Sequence, residues 1–137
     1  MLRVLFGHHR SGSTWTTRLL RRACDELGLR FALLHDASDV DDLGRWVRER
    51  RAQVLAWTNS DGRRLGELGP LVGAHVVRDP RDVVVSAYFA HRNSHPVDGM
   101  PWLVPHRAEL LRLSPHDGLL AEVRCRALQF EQLMAWP

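Results

Sequence analysis

The chain is predicted to be a three-layer α/β protein with a central parallel sheet flanked by helices. Three observations point there. Short apolar runs, Leu2–Phe6, Phe31–Leu34, Gln53–Trp57 and Gly73–Val77, recur along the chain between turn formers, as strands buried on both faces do. The first run passes through a Gly/Ser-rich turn into a helical pattern. The fourth runs into Asp79-Pro80, a helix-opening pair.

Leu2–Phe6 is short, apolar and bounded by Gly7, which suits a buried strand. After the turn, Trp15, Leu19, Ala23 and Leu27 recur every four residues, with Arg18, Arg21, Arg22, Asp25 and Glu26 on other faces. This spacing predicts an amphipathic helix buried along the Trp15–Leu27 stripe and stopped by Gly28. Phe31–Leu34 reads as a second strand ending at His35-Asp36. Ser38 then offers an N-cap, with Asp41 as its capping-box partner, for a helix carrying Val40, Leu43 and Val47. Arg48, Arg50 and Arg51 fall in its last turn, where they favour the dipole.

Gln53–Trp57 reads as a buried parallel strand closed by the turn formers Thr58-Asn59-Ser60-Asp61-Gly62. Polar residues at the carboxyl end of such a strand lie where α/β sheets place ligands, so Thr58, Asn59 and Asp61 are site candidates; a capped turn explains them equally well. Val83–Val85 would also suit the second arm of a hairpin turning at Asp79-Pro80. Asp79 as N-cap, Pro80 at the first helical position and Asp82 in the first turn favour a helix, with Val84, Ala87, Tyr88 and His91 on one face. His91 and His95 stand at i, i+4, a metal-ligand spacing, but without the glutamate of His-Glu-x-x-His and with Pro96 ending the helix. Val97–Pro105 reads as a surface loop and a plausible lid, followed by a short helix over Pro105–Leu113. Ser114-Pro115-His116-Asp117 is a capping box opening a longer helix with the stripe Leu119, Leu120, Val123, Ala127, Phe130 and Met134.

With 137 residues and 45% apolar content, the chain is expected to bury one core as one domain, residues 1–137. Its net charge of +3 suits an anionic small molecule and is too weak to argue for nucleic acid. Two cysteines, Cys24 and Cys125, do not make a disulfide framework. No apolar run approaches the 18 residues of a membrane span and no signal peptide opens the chain, so a cytoplasmic location with no integral membrane segment is expected.

The turn after the first run carries the chemistry. A strand, a Gly/Ser-rich turn and a helix aim several N–H groups and a positive dipole end at an anion. Gly7-(x)4-Gly12-Ser13-Thr14 has the glycine spacing of a Walker A loop, yet Ser13 stands where that motif needs lysine. The chain has no lysine: all 19 Lys+Arg residues are arginine, which argues against a nucleotide kinase or NTPase. The basic residue is Arg10, immediately before Ser11-Gly12.

Arg10-Ser11-Gly12-Ser13-Thr14-Trp15 resembles the 5′-phosphosulfate loop of the sulfotransferases that use 3′-phosphoadenosine 5′-phosphosulfate (PAPS), with His9 for the usual proline and Arg10 for the usual lysine. Arg78-Asp79-Pro80-Arg81-Asp82-Val83-Val84-Val85-Ser86 is similar to the same family's 3′-phosphate motif, an arginine followed eight residues later by a serine. The match covers about residues 1–95 and is carried by two motifs in the family's order. It implies a P-loop-like fold, PAPS as sulfonate donor without a metal, and cofactor contacts from Arg10, Ser11, Gly12, Ser13, Thr14, Trp15, Arg78 and Ser86. Arg10 is then the catalytic cation on the leaving phosphate. Arginine suits Arg78's role, since its fork holds a phosphate through two charge-assisted bonds; an ion pair with Asp79 or Asp82 is the simpler alternative.

The resemblance also implies a small-molecule, glycan or lipid hydroxyl or amine as acceptor, and a glycine-rich basic segment after residue 137, so the chain is expected to be a partial domain or else a minimal relative. The family's histidine base has Thr58-Asn59 in its place, and asparagine is no base. His35, Asp36, Asp61, His91 and His95 are the candidates for that role. A nucleotide-binding module without turnover is the alternative function.

Overall fold

A computed structural model describes residues 1–136. The fold is α/β, and the chain divides into two compact units. One comprises Met1–Val77 with the stretch from Glu131, the other Arg78–Phe130.

The first unit is built on a four-stranded parallel sheet of β1 (Leu2–Phe6), β2 (Phe31–Leu34), β3 (Val54–Trp57) and β4 (Leu71–His75) in the order β2-β3-β1-β4. Phe6 pairs with Trp57 on one side and His75 on the other, so the carboxyl ends of these strands finish level. Val4, Phe6, Ala32, Leu34, Leu55 and Trp57 form one face, buried with Leu43 and Val47 of α2 (Leu43–Glu49). A 3₁₀ helix, Gly62–Leu68, adds Leu65 and Leu68 to this cluster. By strand alternation Leu5, Val54 and Ala56 point to the other face, and Leu5, Leu20 and Val54 line one open cavity there, with Leu20 supplied by α1 (Ser13–Glu26).

The stripe expected to bury α1 does not. Trp15, Leu19 and Leu27 are 67%, 48% and 72% exposed, and the side chains turned inward are Thr17 and Cys24, with Leu20 half-buried. These lie at i, i+3 and i+7, so they form one helical face as regular as the apolar one. Packing of α1 against β2 and β3 selected the face.

Other boundaries shifted for local reasons. α2 starts at Leu43 with Asp42 as N-cap, its carboxylate accepting from Arg45 N–H at 2.7 Å; Ser38 instead donates its own N–H to Asp36 Oδ1 at 2.8 Å. β4 runs over Leu71–His75, two residues earlier than its apolar composition suggests, because it continues the ladder opposite Leu2–Phe6. Gly73 is required there: a Cβ would lie 2.8 Å from the Phe6 ring and 3.0 Å from Val4 O.

The second unit is helical. Asp79 caps α3 (Pro80–Phe89) by accepting from Arg81 N–H at 2.9 Å, with Pro80 in the first turn. Hydrogen bonding from Arg81 lowers the Asp79 carboxyl to about 2. Val84, Ala87, Tyr88 and His91 are buried, as the one-face reading required, and Val83 is buried beside them. A π-helical turn, Ala90–Ser94, follows and ends before Pro96. α4 occupies Leu103–Arg112. Ser114 caps α5 (Pro115–Cys125), accepting from Asp117 N–H and donating to its carboxylate.

The long helix expected after Ser114 breaks at Arg126 and resumes as α6 (Ala127–Met134). Its expected stripe is mostly exposed: Leu120, Val123 and Met134 are 44%, 44% and 84% accessible. Gly118 and Ala121 face inward instead, because a small residue lets α5 approach the Tyr88 ring. Tyr88, Leu110 and Ala121, with Leu113 and Leu119, are a modest core.

Candidate functional site

The loop between β1 and α1 curls on itself. Gly7 N–H donates to Trp57 O at 2.9 Å, and Ser60 returns to Gly7 O through both N–H, at 3.0 Å, and hydroxyl, at 2.9 Å. Ser11 N–H reaches His8 O, the Ser11 hydroxyl donates to the same oxygen at 2.6 Å, and His8 N–H donates to Ser11 Oγ at 3.0 Å. Ser11, expected to face a phosphate, is thus buried with its hydroxyl closing the loop.

The turn is completed in the left-handed region, at Arg10 (φ 65°) and Gly12 (φ 86°). For Gly12 that conformation is free; for arginine it is uncommon and points to a position held by its surroundings. Gly12 opens α1 without any side-chain cap, and its carbonyl receives Trp15 and Thr16 N–H. Ser13, half-buried, and Thr14, exposed, occupy the first positions of α1, at the positive end of its dipole. Trp15 points to solvent.

Under the loop lies a histidine pair. His8 is buried, and its Nε2 is 2.7 Å from Nε2 of His75 at the end of β4. Trp136 stacks on His75, with centroids 3.9 Å apart, and packs edge-on against Phe6 at 4.7 Å. Burial, and then the charge of His75, lowers the His8 pKa from 6.5 to about 4; burial lowers that of His75. A 2.7 Å N···N contact has room for one proton, so one ring donates and the other accepts.

The neighbouring strand ends supply the remaining polar groups of this edge. His35 Nδ1 lies 3.1 Å from the buried Thr58 Oγ1, and Asn59 N–H donates to His35 O at 2.8 Å. Asp61 caps the 3₁₀ helix and chelates Arg63, whose bond lowers its pKa, so this candidate base has a structural role. Asp36 accepts from Ser38 N–H.

Arg78 and Ser86 belong to the second unit. Arg78 precedes α3, and its Nε is 3.7 Å from Asp82 Oδ2, an ion pair one helical turn along, with the arginine side chain 42% exposed. Ser86 is half-buried on α3. His91 is fully buried and its Nδ1 meets Glu122, at 3.0 and 3.1 Å from the two carboxylate oxygens; burial lowers its pKa. His95 stands 5.5 Å from the His91 ring, centroid to centroid, with Nδ1 at 3.0 Å from Pro96 O.

Sequence reasoning missed Ser60, the His8–His75 pair and the Glu122 cluster. Ser60 was visible as a turn former, but its bond spans 53 positions. Nothing in the sequence marks His75 as His8's partner beyond a place at a strand end. No helix among the described residues is long and apolar enough to cross a membrane. No protein-family model matches this chain, and neither a curated protein nor a solved structure is significantly similar to it.

Proposed function

We propose that the chain binds a nucleotide bearing both 5′- and 3′-phosphates, and serves sulfonate transfer from PAPS to a hydroxyl or amine acceptor on a P-loop-like scaffold. The observation that carries the reading is the Gly7–Thr14 loop. It is a strand-to-helix turn at the carboxyl edge of a parallel sheet, locked from beneath by Ser60 and Ser11, with an uncapped helix start and a left-handed Arg10. Such a start suits a phosphate, because orphan amides and the helix dipole favour negative charge.

When bound, the donor supplies a sulfonate that leaves its phosphate for the acceptor. The chain's own residues have three tasks. The amides opening α1, with the Ser13 and Thr14 hydroxyls, hold the 5′-phosphate and stabilise the charge that grows on it; Arg10 adds a cation to the same loop. Arg78 and Ser86 hold the 3′-phosphate, with the long contact to Asp82 exchanged for a charge-assisted one. His35 accepts the acceptor's proton. It is exposed at the carboxyl edge two strands from β1, and Thr58 orients its ring. Asp61 and His91 are engaged in their own contacts and are poorer bases.

Calorimetric titration with adenosine 3′,5′-bisphosphate, ATP and adenosine 5′-phosphate tests the reading. The bisphosphate is expected to bind tightest; equal affinities refute the two-phosphate assignment. The presence of Asn59 where the family carries its histidine favours a second reading, a binding module without turnover. Sulfonate transfer that depends on an added acceptor separates the two.

A further inference from the structure

We propose that His91, His106 and Glu122 form a site for one divalent metal ion of the zinc class, within the second unit and independent of the nucleotide reading. The three side chains come from three elements, the π-helical turn, α4 and α5. His91 and Glu122 are fully buried, and the His106 side chain is 11% exposed. His91 Nδ1 lies 3.1 Å from Glu122 Oε2, and His106 Nε2 lies 2.9 Å from the same oxygen. One ligand atom from each residue falls within 4.8 Å of the others.

Zinc binds imidazole nitrogen and carboxylate oxygen at about 2.0–2.2 Å, which in a tetrahedron sets ligand atoms roughly 3.3–3.6 Å apart. The two N···O separations, 3.1 and 2.9 Å, must widen by a few tenths of an ångström to admit an ion, and the two imidazole nitrogens lie within 4.8 Å of each other. Two imidazoles and one carboxylate are the ligand number of an open zinc site, leaving a fourth position for water or an anion.

The surroundings orient these groups as outer-shell residues do. His106 Nδ1, the nitrogen turned away from the centre, is 3.8 Å from Glu109 Oε2, an ion-pair separation beyond hydrogen-bond reach, so Glu109 supplies charge beside the site and does not fix the ring's tautomer. Arg126 Nε lies 3.1 Å from Glu122 Oε1, an oxygen it shares with His91 Nδ1 at 3.0 Å, while Oε2 faces both imidazoles. Arg107 donates to His91 O at 2.6 Å and to His95 O, tying down the turn that carries His91. That turn is π-helical, a distortion frequent at functional sites. The Trp102 ring meets the His91 ring edge-on at 5.4 Å and helps screen the centre from water. Arg126, held against Oε1, opposes a cation, and the ion would sit on the Oε2 side between the two imidazoles.

A structural reason accompanies the geometry. The core of this unit is small, and burying a carboxylate with two imidazoles in it costs free energy that a metal bond offsets.

The test uses the full chain stripped with a chelator, then titrated with zinc chloride against a chromophoric competitor and, separately, with cobalt(II). One zinc per chain is expected, with visible cobalt bands of tetrahedral intensity. His106→Ala should weaken zinc by at least about 100-fold, more than loss of an outer-shell partner does. His116→Ala, on an exposed imidazole, should leave it unchanged. The imidazole proton resonances of the unaltered chain give a second reading that does not depend on how His106→Ala folds: zinc should move those of His91 and His106. The proposal is overturned if no stoichiometric zinc binds, if His106→Ala binds equally well, or if the moved resonances belong to His8 and His75.

Discussion

Acidification should unlock the loop through His8. Its imidazole is buried beneath the loop and shares one proton position with His75 at 2.7 Å. The folded chain therefore holds it neutral down to about 4, whereas the ordinary value is 6.5. Between these values the unfolded chain binds a proton that the folded chain refuses, so stability falls as pH falls. The full contribution is present above pH 6.5 and is lost by about pH 4. At about 1.4 kcal/mol per pH unit, the loss is about 3 kcal/mol. His75, lowered by the same burial, acts in the same direction. Urea denaturation followed by tryptophan fluorescence between pH 4 and 8 measures it, since Trp46, Trp57 and Trp136 all pack in the first unit. His8→Gln keeps a polar group near the Nε2 position but cannot charge. It should flatten the stability profile between pH 7 and 5. An unchanged slope in His8→Gln, or a wild-type chain that gains stability on acidification, refutes the reasoning.

Other perturbations probe the loop and the second unit. Ser60→Ala removes the buried hydroxyl that holds Gly7 O at 2.9 Å and should cost about 1 kcal/mol in urea melts while weakening bisphosphate binding; unchanged values on both counts would mean the loop is held elsewhere. Gly118→Ala places a methyl 2.6 Å from the Tyr88 ring and should lower stability by about 1–3 kcal/mol, so a neutral result contradicts the close α3–α5 approach. Arg78→Ala should weaken the bisphosphate by roughly 2–4 kcal/mol and the 5′-monophosphate hardly at all. Arg81→Ala, at a side chain 89% exposed and chelating Asp79, should change bisphosphate binding by less than about 0.5 kcal/mol. Comparable losses from the two arginines would reveal a general field effect in place of a directed contact.

Local features of this chain are set by neighbouring residues and were legible from them. Leu2–Phe6 is a strand with the expected ends, the Gly/Ser-rich turn after it leads into a helix, Asp79-Pro80 opens another, and Ser114 caps one with Asp117. The helix starts depend on contacts spanning a few positions, where side-chain chemistry and backbone geometry act locally; the strand's apolar run is legible too, although its pairing with β3 and β4 is long-range.

Choices between equally regular alternatives needed the tertiary structure. α1 has two candidate faces, and the sheet took Thr17, Leu20 and Cys24 over the more apolar Trp15 stripe. Continuous pairing with β1 moved β4 toward Leu71, where Gly73 fits against Phe6. The loop itself could be read from its glycines and hydroxyls, but Ser11's inward turn and the Ser60 brace could not. Convergence over distance was least visible: His8 meets His75 across 67 positions, and His91 meets Glu122 across 31. A single histidine or glutamate carries no signal of its partner, since the burial that pairs them exists only once the helices and strands have packed.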